Sequence, residues 1–271
     1  MDLPYRSMSW ESFLAVLFGG IVGVTLGATG AGGSLLAIPL LVYGLGLPVQ
    51  EATATSLLVV AASAGLGAYG HLRTGNVRLK AAALFSASGW IGAWLGALAH
   101  RLVREELILL LFGVLMLAVA WRMWQGHTVS AMDEGPRCAD EMPRRCVIRA
   151  LVVGLLAGVV TGLFGVGGGF VIVPALSMIL GFPMQTAVGT SLLIIAIVSL
   201  GGLLGHVQQG RLDWLVTGLL LLGSGLGMLA GTEVARRIPP ARLAKQFAVV
   251  AAAVAAGLIL HNGIALSWGA R

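Results

Sequence analysis

The chain has 271 residues, of which 58% are hydrophobic and 10% charged, with a mean hydropathy of +0.94. Soluble domains carry about 25% charged residues, so this composition excludes a water-soluble fold and requires lipid around the apolar surface. The formal net charge of +6 would suggest a nucleic-acid partner in a soluble protein, but here Lys and Arg fall in loops between apolar runs, where they set orientation.

In chain order, the stretch before Trp10 is short, and the apolar run after it reads as a retained membrane segment, not a cleaved signal peptide. Residues 11–28 are long enough to cross a bilayer at ~1.5 Å per residue. Gly19, Gly23 and Gly27 give this segment one smooth face for close packing. A glycine-rich break follows, Gly27-Ala28-Thr29-Gly30-Ala31-Gly32-Gly33. Residues 34–45 form a short apolar segment that Gly46-Leu47-Pro48 ends. Residues 50–69 open with Gln50, Glu51, Thr53, Thr55 and Ser56, and lead to a basic loop with His71, Arg73, Arg78 and Lys80. Residues 81–98 carry Gly92 and Gly96 and precede a mixed loop of Arg101, Arg104, Glu105 and Glu106. Residues 107–124 end at Trp121 and Trp124, which suit a membrane interface. Residues 125–149 are polar and read as a cytoplasmic linker too short to bury a core. Its Cys138 and Cys146 have no histidine beside them, which argues against a metal site.

The second half repeats the plan. Gly162-Leu163-Phe164-Gly165-Val166-Gly167-Gly168-Gly169 aligns without a gap on the first break, at a constant offset of 135 positions. Gly154, Gly158 and Gly162 match Gly19, Gly23 and Gly27; Pro174 matches Pro39; Gln185 matches Gln50; Thr190 and Ser191 match Thr55 and Ser56; His206 matches His71. Apolar segments are expected over 150–161, 170–180, 185–204, 214–230 and 244–260. The expected fold is an all-α polytopic membrane protein with homologous halves at 11–124 and 150–262, each with a glycine-broken helix pair. The basic loops change place between the halves: one follows the third segment of the first, the other (Arg236, Arg237, Arg242, Lys245) the fourth segment of the second. Inverted repeats of five crossings, with the N-terminus outside, bring every basic loop inside. Four crossings per half in parallel orientation is the alternative.

Paired breaks in matching positions point to a transporter's binding site. Helix starts leave unpaired N–H groups and a partial positive charge, so two of them facing each other would cage a small oxyanion. The candidate substrate residues are Gly30, Gly32, Gly33, Ser34, Thr55 and Ser56, with Gly165, Gly167, Gly168, Gly169, Thr190 and Ser191. Helix packing alone is the competing explanation of the glycines, and bonds to backbone carbonyls that of the hydroxyls. Glu51, His71 and His206 are candidates for gating or for carrying a coupling proton; headgroup contact or capping is the competing explanation of the histidines. The chain contains no HExxH, no Gly-x-Ser-x-Gly turn and no Walker motif, so an enzyme or an ATP-driven pump is not expected. No cofactor is expected. The expected partners are a small anion, the bilayer and a coupling proton, with room for a homo-oligomer. A passive anion channel, a carrier of another small carboxylate and a structural assembly subunit are the competing functions.

The two breaks, each followed by Pro39 or Pro174, a Gly-x-Pro turn and a Thr-Ser pair, resemble the duplicated signature of the sulfite exporter TauE/SafE permeases. That resemblance implies a multi-pass permease of the bacterial inner membrane moving sulfite or an organosulfur anion such as a sulfonate, sulfoacetate or thiosulfate. Ser34 stands where the second half has Gly169, so the halves of the site are not equivalent.

Overall fold

The computed structural model describes residues 8–30, 33–124, 143–206, 213–237, 248–249 and 251–260. Gly32, Cys138, Arg242 and Lys245 lie outside these. All the regular elements among the described residues are helical: α1 (Met8–Thr29), α2 (Gly33–Pro39), α3 (Val49–Arg73), α4 (Leu79–His100), α5 (Glu105–Trp124), α6 (Arg144–Phe164), α7 (Gly169–Pro174), α8 (Met184–His206), α9 (Trp214–Arg237) and α10 (Ala251–Leu260). Six of them, α1, α3, α4, α6, α8 and α9, are long and apolar enough to cross a membrane. α6 starts just after Pro143, whose fixed φ suits a helix entry. The final residues of the stretch read as linker, Arg144 to Arg149, are therefore helical.

Each short helix runs into a wider π-helical turn, Leu40–Gly44 after α2 and Ala175–Ile179 after α7. Pro39 and Pro174 close the α-helical parts. Proline has no N–H and crowds the carbonyl four residues back, and a π turn relieves that register. The Leu45 N–H donates to the Leu40 carbonyl at 3.2 Å and the Leu180 N–H to that of Ala175 at 3.3 Å. The sequence showed two short segments; it did not show the change of helix type.

Packing follows the glycines. A β-carbon at Gly19, Gly23 or Gly27 would stand 2.4, 2.1 or 2.5 Å from the carbonyl oxygens of Leu220, Ser224 and Met228, so α1 and α9 lie backbone to backbone and run parallel. The equivalent glycines, Gly154, Gly158 and Gly162 on α6, meet the carbonyls of Phe85, Gly89 and Ala93 on α4. Every one of these contacts recurs at the sequence offset of 135. Without a hydrophobic force between helices in lipid, such close approach supplies the packing energy.

These two pairs flank α3 and α8. Of the 18-residue apolar windows, 72% of that in α3 and 67% of that in α8 is buried, against 33% in α1. α3 and α8 run antiparallel: Leu57 packs on Gly202, while Gly67 packs on Leu192. α3 runs parallel to α9, with Ser63 donating to or accepting from Ser224 at 2.8 Å and Gly67 against Met228. α4 runs parallel to α8, with Gly89 against Val198 and Ala97 against Gly205. α2 doubles back along α1, from Gly33 beside Val22 and Leu26 to Gly44 beside Phe18. The outer faces keep large apolar groups exposed, among them Ile91, Trp94, Leu222 and Leu226, as a lipid-facing surface requires.

The helix directions gather Arg73, Arg78, Lys80, Arg144, Arg145, Arg149 and Arg237 at one end of the bundle. Glu11, Glu51, Arg101, Arg104, Glu105, Glu106 and Asp213 belong to the other.

Candidate functional site

The second break is built by three left-handed glycines, Gly165 (φ 70), Gly167 (φ 70) and Gly168 (φ 64). A side chain at these angles is strained, and space is also lacking. A β-carbon at Gly165 would meet the Thr53 methyl at 2.4 Å, one at Gly167 the Val60 side chain at 2.6 Å, and one at Gly168 the Thr161 hydroxyl at 2.2 Å. Gly165 closes α6 by donating its N–H to the Thr161 carbonyl at 2.8 Å. Gly169 opens α7. In the first break Gly30 (φ 70) closes α1 on the Leu26 carbonyl at 2.7 Å, and a β-carbon there would meet Val188 at 2.5 Å. Gly33 and Ser34 open α2 and are buried.

Two of the candidate hydroxyls bond backbone carbonyls of the breaks. Ser56 on α3 donates to the Gly165 carbonyl at 2.9 Å. Ser191 on α8 donates to the Val188 carbonyl at 2.8 Å and reaches the Gly30 carbonyl at 3.4 Å. Each half thus pins the break of the other, and these hydroxyl protons are already engaged. Thr190 accepts the Arg78 backbone N–H at 3.1 Å, which leaves its own hydrogen to give. Thr55 is buried next to Ser56.

Gly30 and Gly165 lie at opposite ends of the bundle, beside the starts of α8 and α3. From there the second break turns inward. Gly167 sits against Val60, Ile195 and Ser199, at the level where α3 and α8 cross, and α2 touches α7. Ser199 was not singled out from the sequence, because its repeat counterpart is Ala64. It is fully buried, its Oγ has no hydrogen-bond partner, and that Oγ stands 3.2 Å from where a Gly167 β-carbon would be.

The remaining candidates separate. Glu51 stands in the first turn of α3 and His71 in the last, so they occupy opposite ends of one long helix. His71 packs beside Gly189 at the start of α8. His206 closes α8 and is buried against His100, a residue the sequence left unmarked. Among the described residues the buried polar side chains are Ser, Thr and His alone, so no formal charge is fixed in the core. No group of three or more His, Cys, Asp or Glu is placed to hold a metal among them.

A bundle of long apolar helices with a helix break in each half is the architecture of a multi-pass membrane transporter. Comparison with known proteins agrees. The model of the sulfite exporter TauE/SafE family matches residues 15–258, and the chain belongs to that family. A Xylella fastidiosa protein named "Probable membrane transporter protein" is 34% identical over 92% of this chain and 95% of its own length. Bacillus subtilis YdhB, of the same description, is 27% identical over 91% and 99%. Escherichia coli YfcA is 25% identical over 94% and 91%.

Proposed function

We propose that this transporter is a secondary carrier of a small oxyanion, sulfite or an organosulfur anion, in the bacterial inner membrane. The observation that carries the reading is the inward turn of the second break. Gly167 brings a helix start to the crossing of α3 and α8, beside a buried hydroxyl with no partner. Backbone N–H groups at the start of the short helix after Gly167, with Ser199, supply neutral donors. An anion held by dipoles in a core without fixed charge is released again as readily as it is bound. The packed state of both breaks is an occluded one. Opening needs Ser56 or Ser191 to let go of the opposite break.

The halves are read as inverted, with the N-terminus outside. The antiparallel course of α3 and α8 supports this, as does the gathering of basic residues at one end, which would face the cytoplasm. Sulfite flux into proteoliposomes of the purified protein, with and without a pH gradient, tests the function. Saturable flux that responds to the gradient is expected, whereas linear flux would indicate a channel. Ser199→Ala, which removes the unpartnered hydroxyl and adds no bulk, is expected to weaken sulfite binding and lower flux while the protein still inserts and folds. Unchanged sulfite binding and flux in Ser199→Ala would overturn the site.

A further inference from the structure

His100 and His206 are the last residues of α4 and α8, two parallel helices packed along Gly89, Ala97 and Gly205. Their rings meet edge to face, with centroids 5.0 Å apart and planes at 74°. Both residues are 2% exposed. The His100 Nδ1 lies 2.7 Å from the Leu163 carbonyl and the His206 Nδ1 lies 3.0 Å from that of Gly202. A carbonyl only accepts, so each Nδ1 carries the hydrogen and each neutral ring keeps a lone pair on Nε2. Both Nε2 atoms are buried without a hydrogen-bond partner. Two bare acceptors side by side, both already oriented through their other nitrogen, fit an electron-poor ligand. Two imidazoles are fewer donors than a structural zinc takes, and the neighbouring cation Arg101 disfavours any metal.

We propose that the His100–His206 pair is the proton-binding site of the carrier, taking up one proton from the medium when the anion enters the adjacent break. This rests on the carrier reading above. The proton bonds to one Nε2; that ring becomes an imidazolium and gains a donor. The surrounding charges oppose a proton held alone. Arg101, next on α4, donates to the Gly205 carbonyl at 2.9 Å beside His206. Exposed Glu105 at the start of α5 and Glu51 in the first turn of α3 are the acids at this end, and α6 contributes the Leu163 carbonyl and no charge. An unbalanced positive charge so far from water is costly. An anion supplies the balance, and by linkage each ligand then strengthens the other. The route is short. Leu163 stands just before Gly165, Gly202 packs on Gly162, and Ser199 lies two turns before His206 on the same face of α8. The repeat counterpart of His100 is Ala235, so the pair exists at the second break alone.

The test is calorimetric titration of the detergent-solubilised protein with sulfite at neutral pH in two buffers of different ionisation enthalpy, which counts protons bound per anion. The wild type is expected to take up about one, and His100→Gln and His206→Gln to take up close to none while still binding sulfite. Proton uptake unchanged in both variants overturns the proposal. Histidine 15N spectra of the wild type provide an arm that needs no variant. Without sulfite both rings are expected in the neutral Nδ1–H form with a bare Nε2, and with saturating sulfite one of them is expected to gain a second proton. An Nε2–H tautomer in either ring without sulfite, or two rings that stay neutral with sulfite bound, overturns the pair. A wild type that binds no sulfite counts against the sulfite reading alone, since the sulfite-free spectra still test the pair.

Discussion

At the scale of single residues, the serines of the two repeats are equivalent in sequence but unequal in strength. Ser56 gives its hydrogen to one acceptor, the Gly165 carbonyl across the bundle, at 2.9 Å. Ser191 spends its best bond, at 2.8 Å, on its own helix and only grazes Gly30 at 3.4 Å. Ser56→Ala is therefore expected to cost about 1 kcal/mol of folding stability and Ser191→Ala less, read as melting temperature in detergent. Equal losses would mean that the cross-bundle bonds are not what distinguishes them. The equivalence of Ser56 and Ser191 was legible in the sequence because both sit in aligned Thr-Ser pairs. That their partners are break carbonyls was not legible, since the bond spans more than a hundred positions. Ser199 and His100 escaped for another reason: their counterparts are Ala64 and Ala235, and duplication marks only what both halves retain.

At the scale of helices, the glycine ladders fix which pairs touch. The spacing of Gly92 and Gly96 announced a smooth face, and the partner, α6, came from the fold. A β-carbon at Gly92 would stand 2.2 Å from the Leu155 carbonyl, whereas one at Gly218 meets nothing within 4 Å. Gly92→Ala is expected to lower stability by about 1–3 kcal/mol by forcing two backbones apart. Gly218→Ala, on the same kind of helix, is expected to be neutral or to stabilise slightly, because only the entropy term of glycine changes. Thermal unfolding of the two variants in one detergent checks this pair of outcomes. The short segments were legible as short because apolar runs of a dozen residues stand between Gly-x-Pro turns and glycine breaks. Their π turns depend on how Pro39 and Pro174 are accommodated once the helix is packed, which no periodicity reports.

For the whole molecule, topology decides which loops share a side. Single cysteines at Thr74, Leu102 and Arg237, in a background without Cys138 and Cys146, separate the two arrangements. Inverted halves are expected to leave Leu102→Cys open to an impermeant thiol reagent added from outside, with Thr74→Cys and Arg237→Cys protected. Parallel halves would instead put the reactive group at Arg237 on the side opposite Thr74. Leu102 is 88% exposed and Thr74 and Arg237 are exposed, so burial does not confuse the readout. The repeat and the reversed placement of its basic loops were legible in the charges and glycines. The swap was not: α1 of the first half packs on α9 of the second, and α6 of the second on α4 of the first.

That swap sets a timetable for biosynthesis. When the first half has left the ribosome, α1 carries an uncovered glycine face whose partner, the helix that starts at Trp214, has not yet been translated. The Gly30 carbonyl waits for Ser191, and only with α9 does α1 acquire its neighbour. The early helices must therefore stay together in the membrane, or under the insertion machinery, through most of translation. Assembly is completed near the end of the chain and cannot proceed helix by helix.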